Sequence, residues 1–170
     1  MRNIVLVGFM GSGKTTVGRL IAEKTGMTLL DMDAIIADRA GKTINEIFAD
    51  EGEAHFRALE RSLAQELAAT EGNIISTGGG IVLNPENIND FEKTGLVVCL
   101  LADAETVLDR VKHDSSRPLL AGDKEANIIR LLESRQTLYK SITHQIDTSG
   151  RPSPEPTAQE IIDLYHSNNS

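Results

Sequence analysis

One cysteine, no tryptophan and an aromatic content of 4% are the first features of this 170-residue sequence. Cys99, inside the apolar run Leu96 to Leu101, has no second thiol to pair with. It reads as a small buried hydrophobe, and neither a disulfide framework nor a zinc or redox centre is indicated. No apolar run approaches the roughly 20 residues of a membrane span. An apolar strand starts so near Met1 that no signal or transit peptide fits before it, so the chain as given is expected to be cytoplasmic. Positive charge is scarce as well: 17 Lys and Arg against 25 Asp and Glu give a net charge of -8. That argues against a general nucleic-acid surface, which needs clustered cations, so any anionic ligand must be caught by a local basic pocket. The four histidines form no metal-type or Ser-His-Asp arrangement and read as surface or structural. The length accommodates one well-buried core, so a single domain over 1–170 is expected. Small size and the lack of an exposed apolar repeat make a monomer the expectation.

Short apolar runs alternate with amphipathic stretches throughout, the pattern of an α/β fold with a parallel sheet covered by helices on both faces. Five strands are predicted: Ile4 to Val7, Thr28 to Leu30, Asn73 to Ser76, Leu96 to Leu101 and Gln145 to Asp147. Thr43 with Glu46, and Thr157 with Glu160, have capping-box spacing, and Asn84-Pro85 places a cap before a first-turn proline. Ser149 to Pro156 reads as a loop, and Lys112 to Lys124 as a surface loop between two helices.

Strand Ile4 to Val7 runs into Gly8-Phe9-Met10-Gly11-Ser12-Gly13-Lys14-Thr15, and a helical pattern follows to Gly26. This is a Walker A loop in its required strand-to-helix context. Glycines let the backbone curl so that successive N–H groups face phosphates, and the helix N-terminus adds the positive end of its dipole. Lys14 is expected to bridge the β- and γ-phosphates, and the Thr15 hydroxyl to bind Mg²⁺. A second carboxylate beside the metal has two candidates. Asp103 follows the most apolar strand but also suits a helix cap, while Asp31 ends the second strand, at the edge where ligands bind in open sheets.

Asp31-Met-Asp33 sets two carboxylates two residues apart, suited to metal on one side and an acceptor hydroxyl on the other. The alternative for Asp33 is a cap for a helix starting at Ala34. Thr77-Gly78-Gly79-Gly80 ends the third strand, either exposing N–H donors for an anion or simply turning the chain. Arg135 shares a helix face, over about Ala126 to Tyr139, with Ile128, Leu131, Leu132, Leu138 and Tyr139. A guanidinium buried there demands an anion. Arg57 lies beside Phe56 with Glu60 one turn on, able to hold its fork. Arg117, before Pro118, could swing over a bound nucleotide, or be a solvated loop charge.

Taken in order and spacing, the Walker A loop, Asp31-Met-Asp33, Phe56-Arg57-Ala-Leu-Glu60, Thr77-Gly78-Gly79-Gly80, Arg117-Pro118-Leu119 and Arg135 through Tyr139 resemble the shikimate kinase family over nearly the whole chain. The resemblance implies a nucleoside-monophosphate-kinase-like fold with a substrate-binding segment at about 33–61 and a lid at about 112–124. The implied reaction is transfer of the ATP γ-phosphate to the 3-hydroxyl of shikimate, a step towards chorismate and the aromatic amino acids. It implies Asp33 as the group that binds and activates the hydroxyl, and Asp31 with Thr15 as the Mg²⁺ side. Arg57, Arg135 and the Gly78-Gly79 backbone are implied to hold the carboxylate, with Phe48 and Phe56 along the ring. It assigns Gly11, Ser12, Gly13, Lys14, Thr15 and Thr16 to the phosphates, Arg117 to a lid contact, and Arg110 with Pro154 to the adenine. The rival readings are another small-molecule kinase of the gluconate or nucleoside-monophosphate type, and a nucleotide-binding switch without catalysis.

Overall fold

The computed structural model describes residues 1–112 and 124–170. Its five strands are β1 (Asn3–Gly8), β2 (Thr28–Asp31), β3 (Asn73–Ser76), β4 (Gly95–Leu101) and β5 (His144–Asp147), all parallel in the order β2-β3-β1-β4-β5. Each predicted strand is present, displaced at its ends by a residue at most. The alternation along β1 explains why it sits at the centre. Val5 and Val7 join one core with Ile75, Val97 and Cys99, while Ile4 and Leu6 join another with Ile74, Leu96 and Val98, so both faces of β1 are dry.

Helices α1 (Lys14–Thr25) and α8 (Glu155–Asn168) cover the second face through Val17, Ile21, Ile161 and Tyr165. The first face is covered by α2 (Met32–Ala40), α3 (Ile44–Glu51), α4 (Glu53–Ala68), α5 (Pro85–Thr94), α6 (Ala104–Val111) and α7 (Lys124–Lys140). Thr43 accepts from the Glu46 N–H at 3.1 Å and Asn84 from the Glu86 N–H at 3.1 Å, as their spacing predicted. The Thr157 box does not form. Pro154 and Glu155 start α8 earlier, and Thr157 lies buried inside its first turns, accepting from Arg151 Nη1 at 2.9 Å. Leu138 also departs from expectation: it stands at the edge of the apolar stripe of α7 and is 38% exposed. No helix of the described residues is long and apolar enough to cross a membrane.

The chain leaves β1 towards β2 on one side and leaves β3 towards β4 on the other. The loops after these adjacent strands therefore diverge, opening a crevice at their C-terminal ends.

Candidate active site

A cleft of about 750 Å³ fills that crevice. It is lined from the β1 loop by Met10, Gly11, Gly13, Lys14, Thr15 and Thr16, from the end of β2 by Asp31 and Asp33, and from the end of β3 by Thr77, Gly78 and Gly79. The registers put these groups at one level, since Leu6 pairs with Ser76 and Ser76 with Asp31. Thr77 locks the β3 turn to β1 by donating its N–H and its hydroxyl to the Leu6 carbonyl, at 3.1 and 2.8 Å.

In the phosphate loop Gly11 and Gly13 have φ of 74° and 96°, left-handed conformations that any side chain would strain. Lys14 is buried, its ammonium donating to the Gly8 carbonyl at 2.6 Å and the Phe9 carbonyl at 3.0 Å. Ser12 differs from a simple phosphate donor. Its N–H is used on the Phe9 carbonyl at 3.1 Å, and its hydroxyl is buried without a partner among the described residues. Arg110 braces the loop from α6, donating from Nη1 to the Gly11 carbonyl at 3.0 Å and to Thr148 Oγ1 at 3.2 Å, and from Nη2 to the Thr148 carbonyl at 3.0 Å. Pro154 stands at the start of α8, six residues beyond Thr148, which follows the end of β5.

The two aspartates of α2 divide their work differently from the capping alternative. Asp31 is the cap, its Oδ1 accepting from the Ala34 N–H at 3.3 Å, so the helix begins at Met32 and Asp33 sits in its first turn facing the cleft. Asp103 caps α6 by accepting from the Thr106 N–H at 2.8 Å. It is exposed, and its hydrogen bonds with Thr106 hold its carboxyl below the usual range. Only Asp31 of the two lines the cleft with Lys14 and Thr15.

The glycine turn continues as a 3-10 turn over Gly79–Leu83 and is packed against charged side chains. A methyl group on Gly78 would stand 2.9 Å from Asp33 Oδ1 and 3.4 Å from Glu60 Oε2. One on Gly80 would fall on the Arg57 guanidinium, 2.6 Å from its Cζ. One on Gly79 would lie 3.5 Å from Arg135 Nη1. Asp33, Arg57, Glu60 and Arg135 therefore converge on one short turn. Arg57 donates to both Glu60 oxygens, at 3.1 and 3.3 Å, and to Glu53, and its guanidinium lies 5.3 Å from the centre of the Phe56 ring. Phe48 stacks on Phe56 at 4.9 Å. Burial pushes the Glu60 carboxyl above its usual range despite the Arg57 guanidinium, and nearby Asp33 pushes the same way.

Arg135 is only 6% exposed on α7, and no carboxylate of the described residues lies within ion-pair distance of it. Sequence reasoning found these groups but missed the buried Tyr139 hydroxyl, which donates to the Gly79 carbonyl at 2.6 Å, and the Thr148 brace. A tyrosine on an apolar helix face carries no local signal for such a contact. Arg117, expected to act from a lid, lies outside the described residues.

The family model for shikimate kinase matches residues 10–166. The shikimate kinase of Caldicellulosiruptor bescii is 47% identical over 166 residues, 97% of this chain and 96% of that protein. That of Pelotomaculum thermopropionicum is 44% identical over 170 residues, 99% of this chain and 98% of that protein. The solved structure of shikimate kinase from Acinetobacter baumannii in complex with shikimate superposes with a TM-score of 0.92 at 38% identity, covering 99% of this chain and 94% of that one. A family model that matches residues 10–166, and relatives 44–47% identical over nearly the whole length, place the chain in the shikimate kinase family.

Proposed function

We propose that this protein transfers the γ-phosphate of ATP to the 3-hydroxyl of shikimate, giving shikimate 3-phosphate and ADP. The observation that carries the reading is the convergence of Asp33, Arg57 and Arg135 on the Gly78–Gly80 turn, whose Gly78 and Gly79 line the cleft that also holds Lys14. A compact carboxylate that carries hydroxyls fits this set. A guanidinium fork binds a carboxylate bidentately, and the turn adds backbone donors. A second nucleotide, as in a nucleoside-monophosphate kinase, has no carboxylate to place there.

In this reading Arg57 and Arg135 hold the acceptor, with Gly78 and Gly79 supporting the carboxylate from the turn and the Phe48-Phe56 pair flanking the ring. Asp33 orients the attacking hydroxyl and takes its proton as the new P–O bond forms. Lys14 leaves the Gly8 and Phe9 carbonyls for the β- and γ-phosphates, neutralising charge as it moves to the leaving oxygen, and the N-terminus of α1 adds its dipole. Thr15 Oγ1 and an Asp31 oxygen suit Mg²⁺, a hard cation that takes one or two protein oxygens and completes its shell with phosphates and water. No group of three His, Cys, Asp or Glu among the described residues could hold a metal without a substrate's help, which fits an ion arriving with ATP. Bound there, Mg²⁺ supplies charge neutralisation on the phosphates. Arg110 and Pro154 flank the place of the adenine, and Arg117 is assigned to the phosphates by the resemblance alone. The protein works as a monomer in the cytoplasm.

A coupled ADP-release assay with Mg-ATP tests this, run with shikimate beside gluconate, AMP and no acceptor. Release that depends on shikimate is the expected result. Release with another acceptor overturns the substrate assignment, and nucleotide binding without turnover points to a switch.

A further inference from the structure

The two parts of the carboxylate clamp belong to different elements: the Arg135 guanidinium to α7, and the Gly78-Gly79 backbone to the turn after β3. One side chain of α7 reaches across to the turn. Tyr139 lies one helical turn beyond Arg135, with its ring 2% exposed. Its hydroxyl donates to the Gly79 carbonyl at 2.6 Å. The position of a Gly79 methyl, 3.5 Å from Arg135 Nη1 and 3.7 Å from the Tyr139 oxygen, shows both groups meeting over one residue. The ring is held by Phe9 of the phosphate loop, edge to face with centroids 6.4 Å apart.

We propose that Tyr139 is a positioning residue whose hydroxyl ties α7, and with it the Arg135 fork, to the Gly78-Gly79 turn, so that fork and turn meet the acceptor carboxylate together. The inference rests on the carboxylate-clamp reading given above. A phenylalanine would fill the same space and keep the Phe9 contact. The hydroxyl is therefore what joins the two parts, and it touches no reacting atom.

The test is Tyr139→Phe in the full chain, with steady-state kinetics on shikimate and on its neutral carboxamide at saturating Mg-ATP. The KM for shikimate is expected to rise about fivefold, the weight of one net hydrogen bond, with the KM for ATP unchanged. The preference for shikimate over the carboxamide in kcat/KM should shrink by a similar factor. That preference is a ratio within one preparation, so partial unfolding of the variant cancels out. A variant that loses activity on both acceptors equally, with its preference intact, shows a merely structural tyrosine and overturns the proposal. A double-mutant cycle with Arg135→Lys supplies a second arm: losses in kcat/KM for shikimate that fall short of the product of the single losses support the joint, and fully multiplicative losses overturn it. A wild-type enzyme that turns over shikimate with no preference against the carboxamide removes the clamp itself, and the proposal with it.

Discussion

Three consecutive glycines give an unusually clean experiment, because none of Gly78, Gly79 and Gly80 has a left-handed φ. Replacing each by alanine therefore costs little backbone strain, and the effect is decided by what the new methyl meets. At Gly78 it stands 2.9 Å from Asp33 Oδ1, inside normal contact, so the carboxylate must shift by about half an ångström. A displacement of that order in an acid-base group costs on the order of tenfold in kcat. At Gly80 the methyl occupies the place of the Arg57 guanidinium, which must swing off Glu60. Loss of one guanidinium-carboxylate contact is worth about 1.5–3 kcal/mol, or roughly 10- to 100-fold in the KM for the acceptor. At Gly79 the nearest atom is 3.5 Å away, an ordinary contact, and the effect should be the smallest. Initial-rate kinetics with shikimate and ATP varied independently, alongside thermal melts, read out all three. The reasoning is refuted if Gly79→Ala is the most damaged variant, or if Gly78→Ala and Gly80→Ala change the same kinetic constant by the same factor.

Asp33→Asn should lower kcat by about 10²- to 10⁴-fold while ATP binding, measured by calorimetry, stays near the wild-type value; equal loss of both would remove Asp33 from proton transfer. Cys99 is fully buried, and burial pushes its thiol up to about 12. It should resist Ellman's reagent in the native protein and react promptly in denaturant, and fast native labelling would contradict the described core. Because burial raises the Glu60 carboxyl, the folded protein holds that proton to higher pH than the unfolded chain does. Stability from this group is thus present below the ordinary carboxylate value and is lost as pH rises through the raised one. Urea midpoints from pH 4 to 7 should show wild type losing ground against Glu60→Gln. Wild type gaining ground instead would mean that the Arg57 pair outweighs desolvation.

The sheet was legible because its information is local: β-rich apolar runs, a glycine loop whose positive φ values are written into the sequence, and caps such as Thr43 and Asn84. Errors arose where two local signals competed. Thr157 and Glu160 have box spacing, but Pro154 and Glu155 nucleate α8 first. The cap considered for Asp33 before Ala34 falls instead to Asp31, because α2 starts two residues earlier, at Met32. Leu138 matched the period of α7 yet fell at the margin of its buried stripe. The residues that were missed act only through distant neighbours. Thr148 gains meaning from Arg110 and Gly11, and Tyr139 from Gly79, and no window of sequence contains both members of either set.

The brace beneath the phosphate loop also bears on how the protein is made. Arg110 and Thr148 reach back to the Gly11 and Ser12 carbonyls, and Thr148 is more than a hundred residues downstream of them. The loop leaves the ribosome long before either support, Arg110 following Gly11 by 99 residues and Thr148 following Ser12 by 136. Its neighbour β4 arrives midway, and the Tyr165 hydroxyl that closes on the Arg2 carbonyl at 2.7 Å comes later still. Contacts this distant in sequence form slowly, since the intervening loop must be closed before they repay its entropy. A nascent chain thus displays its nucleotide motif long before it can grip a nucleotide.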